Sequence, residues 1–354
     1  MKISILAFIS SLIVFYNCSS KPFITALCEK DSKGNYIVKW EIYPETDNTP
    51  VEIYESDNDS VFPSTPSYIA NSNDYMAVIK NSSENGSNKE RKYFRLKVAG
   101  TVSDIITNRF FDLDSIQNFR DIGGYMTTDN RRVRWGKIYR SGSFSRMTQN
   151  DSLELNQLNI KTAIDLRSED AKKQILNRYS NVNNIRIPVV YDGYSSITQK
   201  VLNGTFLKGD AVIYTQDTYR DMVYNYAKQY AAFFDYLCDE KNYPLVYYCY
   251  LGKDQTGLAT YLLLRALDVP LDEIEDDYMQ SGTGIDRSKL IRDADSLSES
   301  RQEALTMLTK TDLLFLKYGI SCMREKSGSV DNYMLNELEL TPKKIQKLKS
   351  ILLH

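Results

Sequence analysis

The stretch from Val246 to Thr260, V-Y-Y-C-Y-L-G-K-D-Q-T-G-L-A-T, constrains this chain more than any other. Its order predicts a buried strand, a tight polar loop and the first turns of a helix starting near Thr256. Gly252 and Gly257 let the backbone turn sharply and bring its N–H groups towards one point. The helix start adds the positive end of its dipole, so the loop is suited to cradling a phosphate dianion. Cys249 stands at the mouth of the loop, where the same field favours the thiolate, the form that attacks phosphorus.

With 354 residues the chain is long enough for two domains, each with its own core. Its 44 basic and 46 acidic residues leave a formal charge of −2, which gives no case for a nucleic-acid partner. The single histidine, His354, is the last residue. That count excludes Ser-His-Asp triads, His-assisted cysteine chemistry and His-ligated metal sites from a folded core. The five cysteines, Cys18, Cys28, Cys238, Cys249 and Cys322, show neither C-x-x-C spacing nor a metal pattern, and no metal or other cofactor is expected.

Residues 1–18 carry Lys2 and an apolar run from Ile3 to Tyr16, too short to span a membrane permanently, and read as an export signal. V-F-Y-N-C-S-S-K resembles a bacterial lipoprotein signal, whose cysteine, here Cys18, becomes the lipidated first residue. A secretory signal cut near Ser19 or Ser20 is the alternative. Both predict a protein working outside the cytoplasm, either anchored to a membrane through Cys18 or periplasmic or secreted.

Residues 22–105 have the pattern of a small antiparallel β domain. Tyr36, Val38, Trp40 and Ile42 alternate with Ile37, Lys39 and Glu41, and Phe94, Leu96 and Val98 alternate with Arg95 and Lys97. Short strands at this spacing predict an immunoglobulin- or fibronectin-like sandwich serving as a spacer or docking module. Thr101 to Ser115 joins it to the remainder.

In that remainder, I-K-T-A-I-D-L-R-S (Ile160 to Ser168) is an apolar strand closing on Asp165 and Arg167. Arg167 is either a structural partner of Asp165 or, being just past a strand C-terminus, a residue at the edge of a ligand crevice. Tyr191 to Ile213 is polar and suits a flap. Thr218 to Asp239 predicts one helix, with Tyr219, Met222, Val223, Tyr226, Tyr230, Phe233, Phe234 and Leu237 on its core face. The acidic cluster in V-P-L-D-E-I-E-D-D-Y-M (Val269 to Met279) reads as capping and solvating a helix. Thr341 can cap a last helix with Pro342 in its first turn.

Taken together, C-Y-L-G-K-D-Q-T-G, N-F-R-D-I-G-G-Y (Asn118 to Tyr125), the R-S-G step at Arg140 to Gly142, and D-L-R resemble, in order, the motifs of bacterial tyrosine phosphatases of the C-x-x-G-K-D-R-T-G type, some of which accept phospholipid headgroups. The resemblance covers residues 112–354. It implies an α/β cysteine-phosphatase-like domain, with a mostly parallel sheet flanked by helices, behind the β-sandwich. It also implies hydrolysis of phosphotyrosine or other phosphomonoesters, on a protein or a small molecule, through a phosphocysteine. Cys249 matches the nucleophile and Asp254 the carboxylate that protonates the leaving group. The loop amides of Tyr250, Leu251, Gly252, Lys253 and Gln255, with the Lys253 charge, would hold the phosphate, and Arg167 could assist.

Two positions depart from that pattern: Tyr248 stands where the family has His, and Gln255 where it has Arg. A guanidinium makes two charged, parallel hydrogen bonds to phosphoryl oxygens, which an amide cannot reproduce. The alternative expectation is therefore an inactive phosphatase-fold protein that binds phosphorylated ligands or docks partners. Arg120 and Asp121 could equally serve only to tie their own loop.

Overall fold

The computed structural model describes residues 21–81, 91–169, 171, 182–190, 194–291 and 294–354. The export segment with Cys18, and most of the polar turn after Ile79, lie outside the described residues. Among the described residues no helix is long and apolar enough to cross a membrane.

The chain begins with two antiparallel sheets. The first has the order β1 (Phe23–Lys30), β2 (Tyr36–Tyr43), β5 (Met76–Ile79). The second runs β4 (Tyr68–Asn71), β3 (Pro50–Ser56), β6 (Tyr93–Val98), β7 (Thr101–Val102). The period-two pattern sets which side chains go inward: Tyr36, Val38 and Trp40 from one sheet meet Val51, Ile53, Phe94 and Leu96 from the other in one core. The joining segment is not a loose tether. Ile106 bridges Phe94 and enters that core, Asn108 bridges Cys28, and Phe110 bridges Arg120.

A five-stranded sheet follows, in the order β11 (Asn183–Arg186), β10 (Thr162–Asp165), β12 (Leu245–Tyr248), β9 (Ile138–Ser141), β8 (Arg120–Asp121). The first four strands are parallel, and β8 runs antiparallel to β9. Asp165, Tyr248 and Ser141 share one register, so β10, β12 and β9 end side by side. Ligands of open α/β sheets bind at such an edge, and Cys249 is the next residue after β12.

Ten α-helices occur among the described residues: α1 (Gln149–Asn156), α2 (Tyr194–Leu202), α3 (Lys208–Tyr224), α4 (Ala227–Leu237), α5 (Gln255–Ala266), α6 (Leu271–Gln280), α7 (Glu299–Thr309), α8 (Leu313–Ser327), α9 (Val330–Asn336) and α10 (Pro342–Leu352). Alternation along β12 divides the cores. Leu245 and Tyr247 face the main core with α4, α5 and α8, while Val246 and Tyr248 face a smaller one with Leu155 of α1. Thr341 caps α10, with Pro342 in its first turn.

The single helix expected over Thr218 to Asp239 is two helices, and its start lies ten residues earlier, at Lys208. The apolar stripe is buried throughout, but Asn225, a weak helix former, turns its amide onto the Asp221 carboxylate and the chain breaks there. The segment expected as a flap supplies α2 and the first third of α3. These pack with α7 around Ile197, Val201, Ala211, Ala304, Leu305 and Leu308, a core separate from the main one.

Candidate active site

The loop between β12 and α5 is shaped from behind. Gly252 has φ +66°, and a Cβ there would lie 2.5 Å from the Ser141 backbone, so only glycine lets the loop lie against the end of β9. Three successive carbonyls are turned outward and held. The Tyr250 oxygen accepts from the Ser143 N–H at 3.0 Å. The Asn118 carboxamide donates to the Leu251 oxygen at 3.0 Å and to the Gly252 oxygen at 2.9 Å. Arg140 Nη2 donates to the same Gly252 oxygen at 2.7 Å.

In a planar trans peptide the N–H points opposite to its C=O. Fixing the carbonyls of residues 250, 251 and 252 outward therefore aims the N–H groups of Leu251, Gly252 and Lys253 at the loop's centre. None of these three N–H groups has an acceptor among the described residues. The start of α5 lies directly behind, with Asp254 as its N-cap residue.

Asn118 and Arg140 are themselves held by a buried ionic cluster. Asp277 of α6 accepts from Arg120 Nε at 3.2 Å, Arg140 Nη1 at 2.5 Å and the Tyr125 hydroxyl at 3.1 Å. Arg120 also donates to the Asn118 side-chain oxygen and to Ser281. All three charged side chains are 0–1% exposed. Burial alone would push the Asp277 carboxyl up, but the two guanidinium groups outweigh it and hold it well below the usual carboxylate range. Burial and the neighbouring Arg140 bring Arg120 down to about 10.

This corrects one sequence expectation: Asp277 does not solvate its helix but neutralises two buried arginines. Arg120, left open by the sequence, reaches beyond its own loop to that carboxylate. Neither Asn118, Arg140 nor Asp277 had been singled out as a site residue. One signal was available: Asp277 falls on the same face of α6 as the buried Ile274 and Tyr278.

In front of the loop is a small cavity of about 30 Å³. Cys249, Tyr250, Leu251, Asp254 and Gln255 line one wall, and Tyr214, Thr215 and Thr218 of α3 with Leu308 of α7 line the other. Cys249 is fully buried, and the Thr256 hydroxyl nearby is buried without a hydrogen-bond partner. Gln255 is among the residues lining this space, and its carbonyl accepts from the Tyr230 hydroxyl at 3.2 Å. Lys253 does not line it. Its side chain is 1% exposed and its ammonium is paired with Asp254 at 2.8 Å.

Arg167 is not brought into the cavity either. It forms a two-pronged pair with Asp165, at 2.8 and 2.6 Å, and lies over the rings of Tyr248 and Tyr250 at 5.7 and 5.5 Å. The pair with Asp165 is one of its two sequence readings, and it does not by itself decide the other. Tyr248, at the usual histidine position, points to the opposite face of the sheet from the main core and packs edge-on against Phe144 at 4.8 Å. Burial beside the Asp165 carboxylate pushes its phenol well above its usual range. Among the described residues, no group of three or more His, Cys, Asp or Glu side chains is placed to hold a metal ion.

The tyrosine phosphatase family profile matches residues 111–354, and the chain belongs to that family. It is 29% identical over 233 residues to a proposed tyrosine-protein phosphatase of Cupriavidus necator, covering 64% of this chain and 83% of that one. It is 24% identical over 199 residues to the triple specificity protein phosphatase PtpB of Mycobacterium tuberculosis, covering 49% of this chain and 70% of the relative. Among solved structures, the core catalytic domain of the PP-IP phosphatase Siw14 from S. cerevisiae aligns with a TM-score of 0.28 and 13% identity, over 60% of this chain and 93% of that one.

Proposed function

We propose that this chain is an exported phosphomonoester hydrolase, acting on phosphotyrosine or related phosphomonoesters of a protein or small molecule, with catalysis weakened by Gln255. The observation that carries this is the row of outward carbonyls, which leaves the Leu251, Gly252 and Lys253 N–H groups converging beside Cys249. Such an array binds the non-bridging oxygens of a phosphate without any cofactor.

In the proposed reaction the Cys249 thiolate forms a bond to phosphorus as the P–O bond to the leaving group breaks. Asp254, once released from Lys253 and protonated from solvent, gives that proton to the leaving oxygen. Water then attacks the phosphocysteine, giving a proton to the Asp254 carboxylate, as the P–S bond breaks, returning the thiolate and releasing phosphate. Gln255 can donate a hydrogen bond to the transferring group but brings no charge, and by analogy with a lost oxyanion donor the rate falls by about 10² to 10³. The cavity in front of the loop is small, about 30 Å³, and is bounded by α3 and α7.

The N-terminal unit is proposed as an immunoglobulin-like β-sandwich, and Cys18 as the lipidated first residue of a membrane-anchored mature chain. Mass spectrometry of the protein from its native cell would find a lipid on Cys18 or a free N-terminus close by; intact Met1 in the cytosol would rule out export. Gln255 favours one second reading, a protein that holds phosphorylated ligands or partners without turning them over. Release of inorganic phosphate from a phosphotyrosine peptide, by wild type but not by Cys249→Ser, decides between hydrolase and binding protein.

A further inference from the structure

We propose that Arg91, contributed by the N-terminal β unit, is a positioning residue for the phosphate loop, so that the β unit belongs to the catalytic apparatus. This rests on the loop being a phosphate site.

Arg91 lies two residues before β6, yet its guanidinium is embedded in the phosphatase unit. Nη1 is paired with the Asp121 carboxylate at 2.5 Å, Nη2 donates to the Asn108 carbonyl at 2.6 Å, and Nε to the Thr107 hydroxyl at 3.1 Å. The rings of Tyr93, Phe111 and Trp135 surround it at 5.3 to 5.5 Å. The Arg91 side chain is 9% exposed and that of Asp121 fully buried. A charge pair so enclosed is exacting: removing one member leaves the other buried without a counter-ion.

Asp121 passes this constraint on. Its carboxylate also accepts from the Gly123 and Gly136 N–H groups, both at 2.7 Å, in the turn after β8 and the turn before β9. Those are the strands that carry the loop's supports. Arg120, adjacent in β8, grips Asn118 and Asp277, and its register partner Arg140 in β9 grips Asp277 and the Gly252 carbonyl. Asn118, which orients two loop peptides, has φ +56°, a left-handed conformation that asparagine adopts more readily than most residues. The β unit is otherwise fastened to the same region by the Trp135 indole, which donates to the Ile105 carbonyl at 3.0 Å. From Arg91 to the phosphate-loop carbonyls every step is a polar contact, buried or largely so, or a peptide bond.

The test compares the full-length wild type with Arg91→Met, Arg91→Lys and Asp121→Asn by hydrogen exchange, read by mass spectrometry, together with calorimetric titration of inorganic phosphate. Loss of the guanidinium should speed exchange in peptides spanning 117–123 and 249–257 while leaving those in β10, α4 and α8 unchanged. Phosphate affinity should fall by about three- to thirtyfold, the range of energetic coupling along such a chain of contacts. Arg91→Lys should recover only part of it, because one ammonium cannot replace three directed donors.

Unchanged exchange at 249–257 in folded Arg91→Met would overturn the proposal. So would a uniform rise across the whole chain, which marks a merely structural rivet. Should Arg91→Met not fold, Asp121→Asn and Arg91→Lys carry the same comparison. A wild type that binds no phosphate would defeat the phosphate-site reading instead, while the exchange pattern would still decide whether Arg91 positions the loop.

Discussion

The two sides of the phosphate loop are built on opposite principles. Behind it, Asn118, Arg120, Arg140 and Asp277 are almost wholly buried, and they fix three loop carbonyls through charge-assisted contacts. In front of it, the cavity wall supplied by the loop holds no cation: Gln255 stands at the arginine position, Lys253 is spent on Asp254, and Arg167 on Asp165. Several buried contacts hold the loop backbone from behind. On the proposed reading, the charge that would stabilise a transition state is what Gln255 does not supply, so binding a phosphate and turning it over become separable.

That contrast is sharpened most by the nucleophile. Cys249→Ser should lower any turnover by about 10⁴ or more, as loss of a nucleophile does elsewhere, while phosphate affinity stays near wild type. A single-turnover assay beside calorimetry would show both. Retained turnover would mean that the chemistry lies elsewhere.

Next comes the frame. Asp277→Ala leaves two buried guanidinium groups without their counter-ion and should cost about 3 to 5 kcal/mol of stability, read from denaturant unfolding. The pH dependence has a defined sign. The folded-state carboxyl is held below its unfolded value of about 3.9, so its contribution is complete above that value and is lost as the pH falls below it. Asp277→Asn, which cannot titrate, should lose less stability than wild type over that acid window.

Asn118→Ala should act more locally. It frees the Leu251 and Gly252 carbonyls and should weaken phosphate binding by about 1 to 3 kcal/mol, the cost of leaving buried acceptors unmade. The smallest effect on binding is expected at Arg167: in folded Arg167→Gln, phosphate affinity should change by well under tenfold, about 1.4 kcal/mol. A larger loss would bring Arg167 to the front of the loop and undo the contrast.

How much of this was legible in the sequence differs between the two sides in the same way. The front was readable because it is local: one contiguous stretch contains Cys249, the glycines and the substituted Gln255, and spacing alone implies a strand, a turn and a helix. The back was not, because it is assembled from residues as far apart as Asn118 and Asp277. An acidic residue on a predicted helix gives no sign of a partner more than a hundred positions away, except through its helical phase with Ile274 and Tyr278. Arg167 shows how a local reading leaves alternatives open: its place after a strand allowed a crevice role, and Asp165 two residues earlier pairs with its guanidinium. The break at Asn225 was missed because the apolar stripe continues unbroken across it.

The central claim, an intact cradle lacking its cation, is tested most directly by Gln255→Arg. Phosphate release from a phosphotyrosine peptide should rise by about 10² or more over wild type, since the substitution returns a charge-assisted, two-pronged contact to the transition state. Adding Cys249→Ser to that variant should abolish the gain. If Gln255→Arg is folded, binds phosphate as tightly as wild type and still turns over no faster, the missing charge is not what limits this site, and the account is contradicted.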